Sequence, residues 1–279
     1  VYGQDIADPK GGVFTATKGL STAFGKDRVF NSPLAESSIV GTAIGLSVVG
    51  YKPVVEIQFG DYIWTSMMQI RNELSTIRYR SNGDWSCPIV IRVPVGGYIH
   101  GALCHSQSID GYFAHLPGIK IAYPSNAEDA KGLLKTACRM SDPVIFMEHK
   151  GLYRQGYAST AEPSKDYVLP FGKAKIISTG DELSIITWGA MVQKCIEAIK
   201  GCQEILTSYD KNFDTVCVSV GTGCTLSGVI ESSNSNQFVL GFLSLNHKKM
   251  KKEILKYTSR INWNIIDNYI FKGYAKVNQ

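Results

Sequence analysis

Short apolar segments alternate with helical segments through the first half of the chain, and this alternation limits the fold more than any other feature. The apolar segments are VVEIQF (54–59), PIVIRVP (88–94), IKIAYP (119–124) and DPVIFMEH (142–149). Helices are predicted from about residue 62 to 78 and over residues 127–140, between neighbouring apolar segments. Such alternation is typical of a largely parallel sheet that is covered by helices on both faces. Sites in such sheets gather beyond the carboxyl ends of the strands.

The composition indicates two domains with a substantial apolar core. The chain has 279 residues, of which 44% are hydrophobic and 19% are charged. No run of about 18 apolar residues occurs, so neither a membrane span nor a membrane partner is predicted. The seven cysteines form no CxxC pair, which favours free thiols in a reducing cytoplasm. The basic run HKKMKKEILK (247–256) lacks an aromatic or Arg-rich recognition pattern, so it predicts a solvated helix face and no nucleic-acid partner.

One carboxylate lies at the start of a small, apolar helix in the segment NSPLAESSIVGTAIGL (31–46). Asn31 and Ser32 are expected as N-cap residues, with Pro33 in the first turn. Beyond Glu36, apolar side chains recur at helical spacing. Glu36 is therefore either an exposed charge at a helix start or a buried acid with a function. Taken alone, the segment favours the exposed charge.

Three neighbouring segments reverse that preference because, with residues 31–46, they resemble one enzyme family. They are GGVFTATKGL (11–20), YKPVVEIQFGDYIWTSMMQIRNELSTIRY (51–79) and RVPVGGYIHGALCHSQS (92–108). In order and spacing they resemble the β subunit of the thiamine-diphosphate-dependent 2-oxo acid dehydrogenases. That subunit belongs to the decarboxylating first component of the pyruvate and branched-chain complexes. The resemblance extends from residue 1 to about residue 199, and it implies a transketolase-like pyrimidine-binding fold, a parallel sheet flanked by helices.

The chain is predicted to divide into a pyrimidine-binding thiamine-diphosphate domain (1–150), a linker (151–181) and a small, atypical α/β C-terminal domain (182–279). The linker is rich in Gly, Pro, Ser and charged residues. ELSIITWG (182–189) is expected to be the first strand of the last domain, and AMVQKCIEAIK (190–200) its first helix.

From about residue 200 the sequence resembles a different enzyme class. KGCQEILTSYDKNFDTVCVSVGTGCTLSGVI (200–230) is similar to the phosphate-loop region of pyridoxal-phosphate enzymes of the 1-aminocyclopropane-1-carboxylate deaminase and D-cysteine desulfhydrase group. The predicted phosphate loop, at a helix start, comprises Gly221, Thr222, Gly223, Cys224 and Thr225. The lysine that holds the cofactor in that group lies in an upstream segment that this chain lacks, so pyridoxal phosphate is not expected. The chain is predicted to be a composite, joined near residues 199 and 200 by a gene rearrangement or by a sequence-assembly artefact.

The resemblance to the dehydrogenase β subunit assigns roles to four residues around the pyrimidine ring of the cofactor. Glu36 would hydrogen-bond to a ring nitrogen and drive tautomerisation of the aminopyrimidine, so its surroundings are expected to be dry. Tyr62 matches the position whose aromatic ring lies against the aminopyrimidine, with a core tyrosine at a helix start as the alternative. Gln58 and Phe59 are expected to line the pocket wall.

His105 matches the active-site histidine of the same family. It would act near the reacting carbon as a proton donor, or as a contact for the acyl-accepting lipoyl group, and His100 is a second candidate. A zinc site at the two histidines is not expected, because no further ligands lie at suitable spacing.

The family also implies partners and a cation. K⁺ would be held by backbone carbonyls at Ile89, Ala137, Met140 and the Asp142 region. The chain has no Gly-Asp-Gly motif with a following Asn, so the diphosphate and its Mg²⁺ are expected to be held by an α subunit or a fused α region. A lipoyl-bearing acyltransferase component and a second β subunit, in a heterotetramer, complete the expected partners.

Several readings stay open at this point. The opening VYGQDIADPKGG, without Met or a signal-peptide pattern, predicts a processed protein, an expressed piece or a β region cut from a longer α–β polypeptide. The chain could instead be an inactive composite remnant, or a relative of transketolase or deoxyxylulose-phosphate synthase. Pyruvate and branched-chain 2-oxo acids are equally compatible with the sequence.

Overall fold

A computed structural model describes residues 1–179, 184–204, 212–220, 223–243 and 249–267. The chain divides into two compact units, Val1–Gln193 and Lys194–Gln279. Within the described ranges, no helix has the length and apolar character that crossing a membrane requires.

The first unit is built on a parallel sheet. Its described strands are β1 (Tyr2–Gly3), β2 (Phe30–Asn31), β3 (Val54–Glu56), β4 (Val90–Val95), β5 (Lys120–Ala122) and β6 (Val144–His149). They form a six-stranded sheet in the order β2-β1-β3-β4-β6-β5, with every neighbouring pair parallel. The predicted parallel sheet flanked by helices is therefore confirmed.

Helices connect the strands. They are α1 (Leu20–Phe24), α2 (Glu36–Val48), α3 (Ile77–Arg80), α4 (Asp110–Ala114) and α5 (Ala127–Ala137). Short 3₁₀ turns occupy Gly60–Ser66, Ala102–His105, Lys150–Leu152 and Gly156–Ala158, and a π-helical turn occupies Gln69–Leu74. The start of α5 is fixed by Asn126, whose side-chain oxygen accepts a 2.8 Å hydrogen bond from the backbone N–H of Asp129.

The two faces of the sheet bury separate apolar clusters, because successive side chains of a strand point to opposite faces. On one face Ile91 and Val93 of β4 pack in a cluster with Ile39 of α2. On the other face Val90 packs in a cluster with Ala137 of α5. Both faces are thus covered, as parallel sheets require.

One buried cation joins three neighbouring strands of the sheet. The Arg92 guanidinium of β4 donates a 2.6 Å hydrogen bond to Glu56 of β3 and bonds of 2.8 and 2.7 Å to Glu148 of β6. Tyr153 donates a further 2.6 Å hydrogen bond to Glu148. Burial raises the pKa of Glu56 although Arg92 opposes the shift. Burial acts to lower the pKa of Arg92, but the two carboxylates outweigh it and the net shift is upward.

The second unit has its own small layer of strands and helices. After α6 (Met191–Glu204) come β7 (Thr215–Val220), α7 (Cys224–Ser232), β8 (Phe238–Leu243), α8 (Met250–Ile254) and β9 (Trp263–Ile266). The described strands form a parallel sheet in the order β7-β8-β9. Leu226 and Ile254 are buried in its core. The prediction of a small α/β domain after the first sheet is confirmed.

Two helix predictions need correction. The predicted N-caps are wrong, because α2 begins at Glu36 after Ala35, and the Asn31 side chain instead accepts a 2.8 Å hydrogen bond from the backbone of Ala7. The predicted continuous helix over residues 62–78 is a 3₁₀ turn, a π-helical turn and a short α-helix. Hydroxyl groups account for this irregularity: Ser75 and Thr76 bond to carbonyls four residues earlier, which competes with regular helix geometry.

The predicted strand over residues 182–189 is wrong for the part that the structure describes, residues 184–189, which is not in a strand. A strand needs a sheet edge to pair with, and this segment joins neither described sheet. It is held instead by Trp188, which donates a 3.1 Å hydrogen bond to Asp110, and by the backbone of Gly189, which bonds to Tyr123.

Replacing Arg92 should destabilise the first unit strongly. Arg92→Met leaves two buried carboxylates without their cation, so we expect a loss of about 3–5 kcal/mol in the free energy of unfolding at neutral pH. The loss should shrink as the pH falls, because removing Arg92 raises the pKa of Glu56 further, so the buried carboxylate is neutralised at a higher pH in the variant than in the parent. Urea unfolding at several pH values measures both effects.

Arg80→Met is the matched control, because Arg80 pairs with Glu73 at an exposed position. We expect it to change the free energy of unfolding by less than about 1 kcal/mol. Equal losses for the two variants would contradict the structural role of Arg92.

Candidate active site

The residues of the candidate site come from three strands that end at one edge of the sheet. Phe59 follows β3, a loop that leads to His105 follows β4, and Lys150 follows β6. Parallel strands bring their carboxyl ends to the same edge, so segments far apart in the chain meet there.

An aromatic cluster forms the centre of the site. The Phe59 ring is 7% exposed, and its centroid lies 4.6 Å from that of His105 and 5.4 Å from that of Tyr62, both in edge-on geometry. The Tyr62 hydroxyl lies 2.7 Å from Nε2 of His105. Three of the residues that the sequence nominated are therefore in mutual contact.

The hydrogen bonds of His105 determine its tautomer. Nδ1 lies 2.9 Å from the carbonyl oxygen of Gly101, which can only accept, so Nδ1 carries the proton. In the neutral ring Nε2 is then an acceptor, and the Tyr62 hydroxyl donates to it. The imidazole is thus oriented with its proton-accepting nitrogen at Tyr62.

The loop that carries His105 has a strained backbone. Tyr98, His100 and Ala102 have φ of 98°, 56° and 55°, in the left-handed region, where each non-glycine residue costs about 1–3 kcal/mol. A Cβ at Gly101 would lie 2.6 Å from Cβ of His105, so glycine permits the turn. His100 is exposed and has no recorded contact with the aromatic cluster, so the structure does not bring it together with His105.

Glu36 is joined to this cluster through Thr65. Its Oε2 accepts a 3.3 Å hydrogen bond from the Thr65 hydroxyl, which also lies 3.2 Å from the carbonyl oxygen of Tyr62. The Ser37 hydroxyl donates to the Thr65 carbonyl and fixes the start of α2 against this turn. Glu36 is half-buried and forms no ion pair with any described residue. It is therefore less enclosed within this chain than the dry setting that we expected.

Gln58 lies at the margin of the site. It is half-buried, and its amide makes a long contact of 3.5 Å with the carbonyl oxygen of Gln4. This position is compatible with a wall of the pocket.

The sequence did not nominate Thr65, Lys150 or Asp61. Lys150 is 2% exposed, its ammonium lies 5.6 Å from the centroid of the Phe59 ring, and burial lowers its pKa to about 8, with Asp61 opposing the shift. A charged residue directly after an apolar strand was the available signal, since such positions face the site edge of a parallel sheet. Nothing in the sequence pattern distinguished Thr65.

The residues nominated for K⁺ lie around one side of the sheet, at the start of β4 and between α5 and β6. The carbonyl of Ile89 accepts from the backbone of Val144, and that of Ala137 from the backbone of Met140. The Asp142 carboxylate pairs with Arg78 at 2.9 Å and with Lys120 at 3.2 Å. K⁺ binding by the backbone carbonyls of this region stays a prediction.

The nominated phosphate loop is described in part, because Gly221 and Thr222 lie outside the described residues. Gly223 precedes α7 with φ 93°, and a Cβ there would lie 3.0 Å from the Met250 sulfur and 3.1 Å from the Ile254 side chain. This glycine therefore permits close packing of α8. Across the described ranges, no three His, Cys, Asp or Glu side chains gather in a group that could hold a metal ion.

Comparison with known proteins places the chain among its relatives. The family described as the pyrimidine-binding domain of transketolase matches residues 1–155. The 2-oxoisovalerate dehydrogenase subunit beta of Bacillus subtilis (strain 168) is 52% identical over 198 residues, and the pyruvate dehydrogenase E1 component subunit beta of the same organism is 46% identical over 198 residues. Each match covers 71% of this chain and 60% of the relative. The chain thus spans three fifths of the length of these relatives.

A more distant relative and a solved structure agree. The mitochondrial 2-oxoisovalerate dehydrogenase subunit beta of Dictyostelium discoideum is 45% identical over 207 residues, which is 74% of this chain and 55% of that protein. The solved structure of a split gene transketolase, an inactive beta4 tetramer, matches with a TM-score of 0.55 over 95% of this chain and 81% of that chain. Its identity is 19%, so this likeness concerns the fold.

Removing the Tyr62 hydroxyl should free Nε2 of His105 without changing the tautomer. In Tyr62→Phe the Nδ1–H group keeps its hydrogen bond to the Gly101 carbonyl, while Nε2 loses its donor, and the free energy of unfolding should fall by about 0.5–1.5 kcal/mol. The ¹⁵N chemical shifts of the His105 ring measure both nitrogens, and the exposed Tyr79→Phe is the control. Unchanged Nε2 shifts in Tyr62→Phe would show that this hydrogen bond is absent in solution.

Proposed function

We propose that this chain, which belongs to the transketolase pyrimidine-binding family, supplies the pyrimidine-binding half of a thiamine-diphosphate-dependent 2-oxo acid dehydrogenase. The observation that carries the proposal is the continuous set of contacts from Glu36 through Thr65 to Tyr62 and His105. The similarity to the beta subunits of 2-oxoisovalerate and pyruvate dehydrogenases supports the reaction class. Substrates and partners are part of the proposal, because the chain spans only part of those relatives.

The residues at the site fit an aminopyrimidine ring. A half-buried carboxylate without a cation, Glu36, can accept a hydrogen bond from a protonated ring nitrogen. The aromatic side chains of Phe59 and Tyr62 offer apolar surface for a flat heterocycle. When bound, thiamine diphosphate supplies the carbon that attacks the 2-oxo group.

Glu36 holds the proton of the ring nitrogen in this proposal. It lies at the N-terminus of α2, where the unpaired N–H groups of a helix start carry partial positive charge. Thr65 restrains the carboxylate from one side, and Ser37 anchors Thr65 in turn. The carboxylate is thus oriented before any ligand arrives, which reduces the cost of reorganisation.

His105 moves a proton near the reacting carbon. The Gly101 carbonyl fixes its Nδ1–H, so Nε2 is the nitrogen that accepts or returns a proton, and the Tyr62 hydroxyl is its neighbour at 2.7 Å. An imidazole suits this role because its charge changes near working pH.

Several components must come from outside this chain. We assign the diphosphate and its Mg²⁺ to an α subunit or a fused α region, acyl transfer to a lipoyl-bearing component, and assembly to a heterotetramer with a second β subunit. A K⁺ on the carbonyls of Ile89, Ala137, Met140 and Asp142 is part of the same proposal. A reducing cytoplasm is supported by the six described cysteine side chains, all free thiols.

We also retain the composite origin of the chain as a proposal. The aligned 198 residues of the Bacillus relatives cover 71% of the chain, which is compatible with a foreign segment from about residue 200. In that segment Gly223 is explained by helix packing, which supports a folded unit without pyridoxal-phosphate catalysis.

Glu36→Gln should abolish decarboxylation in the preparation that contains the α partner. The amide cannot take the proton of the ring nitrogen, so we expect a loss of at least about 10³-fold in kcat, equivalent to about 4 kcal/mol of transition-state stabilisation. Steady-state 2-oxo acid turnover measures this, and circular dichroism verifies folding. Activity within tenfold of the parent would remove Glu36 from the mechanism.

Two controls accompany this measurement. Glu73→Gln removes an exposed carboxylate and should leave kcat unchanged. The chain without its α partner should show no turnover with saturating cofactor and Mg²⁺. Turnover by the isolated chain would contradict the assignment of the diphosphate and its Mg²⁺ to the α partner. Absence of turnover in the fully assembled parent would instead favour an inactive remnant.

A further inference from the structure

Lys150 is a buried cation at the edge of the candidate site. It opens the 3₁₀ turn Lys150–Leu152 directly after β6 and is 2% exposed. Its Nζ is buried and has no hydrogen-bond partner among the described residues. Buried ammonium groups are normally paired, so this one requires an explanation.

The Lys150 ammonium lies over an aromatic ring. Nζ lies 5.6 Å from the centroid of Phe59, within the range of a cation–π interaction. The same ring contacts His105 and Tyr62 in edge-on geometry. Phe59 thus contacts both the buried ammonium and the imidazole.

The Asp61 carboxylate acts on the Lys150 ammonium through space. The Asp61 carboxylate opposes the effect of burial on Lys150, and its Oδ1 is also buried without a hydrogen-bond partner in the described residues. Among the described residues, the Lys150 ammonium is stabilised by the Phe59 ring and the Asp61 carboxylate and not by hydrogen bonds. Its stabilisation therefore depends on the position of the Phe59 ring.

We propose that Lys150 is a positioning residue, whose ammonium holds the Phe59 ring against His105 and thereby sets the placement of the imidazole. The attraction comes from the electron-rich face of the ring and is strongest where water is excluded, as it is here. The effect on catalysis rests on the proposed function, whereas the effect on the placement of His105 does not.

The charge on Lys150 should be lost within an accessible pH range. Burial lowers the pKa of Lys150 to about 8, against the attraction of Asp61 from the turn Gly60–Ser66. His149 of β6 is the other titratable neighbour, and its pKa is lowered by burial and then by the Lys150 charge. His105 and Tyr62 contact the Phe59 ring, over which the Lys150 ammonium lies. The attraction of the ammonium for the Phe59 ring should therefore be present below pH 8 and weaken above it.

Histidine NMR of the full chain tests this without any activity. The C2–H signals of the five histidines are followed from pH 6 to 10 in the parent, Lys150→Met and Lys150→Arg, with Lys26→Met as an exposed control. We expect the His105 signal to be shifted by the Phe59 ring in the parent, with an inflection near pH 8. Lys150→Met should lose the shift and the inflection and raise the pKa of His149, whereas Lys150→Arg should restore the shift.

An unchanged His105 signal and pH curve in Lys150→Met would overturn the proposal. If that variant does not fold, the absence of an inflection near pH 8 in the parent overturns it equally. In the assembly with the α partner, kcat of the parent should decline above pH 8. In Lys150→Met, kcat should not show this decline. A parent without turnover would refute the proposed function while the NMR result still decides the role of Lys150.

Discussion

The buried Arg92 guanidinium is shared by carboxylates from both neighbouring strands, and the site edge of the sheet depends on this arrangement. It links β3, β4 and β6 to one another through Glu56 and Glu148. Phe59, the loop that carries His105, and Lys150 follow these three strands in the chain. Removing one member of such a group is costly, because the others remain as unpaired buried charge. The rigidity of this edge is thus electrostatic as well as apolar.

At this edge of the sheet, short-range contacts fix the tautomer of His105 and the positions of the aromatic rings. A carbonyl at Gly101 selects the tautomer of His105, and Tyr62 completes the hydrogen bonding of the ring. Thr65 links Glu36 to the same turn. Strain in the loop before His105 is offset by the surrounding structure, in keeping with a functional site. The chain therefore presents a preorganised acid, aromatic wall and imidazole on a single edge.

The sequence predicted what depends on periodicity and missed what depends on three-dimensional neighbours. The strands β3 to β6 follow from apolar runs between helices, and the resemblance nominated Glu36, Tyr62 and His105, which the structure brings into one set of contacts. The N-cap prediction failed because Asn31 bonds to a distant loop, and the strand at residues 184–189 failed because it has no sheet edge to join. The sequence did not nominate Lys150, because only the folded structure shows that this lysine is buried.

Deuterium exchange at the reacting carbon of bound thiamine diphosphate tests the central claim most directly. The exchange rate is measured in the assembly of this chain with its α partner, for the parent and for Glu36→Gln. If Glu36 activates the pyrimidine ring, the parent should exchange much faster than the free cofactor, and the variant should lose at least about 10³-fold in rate, equivalent to about 4 kcal/mol. Equal exchange rates in the parent and the variant, with the cofactor bound in both, would contradict the account.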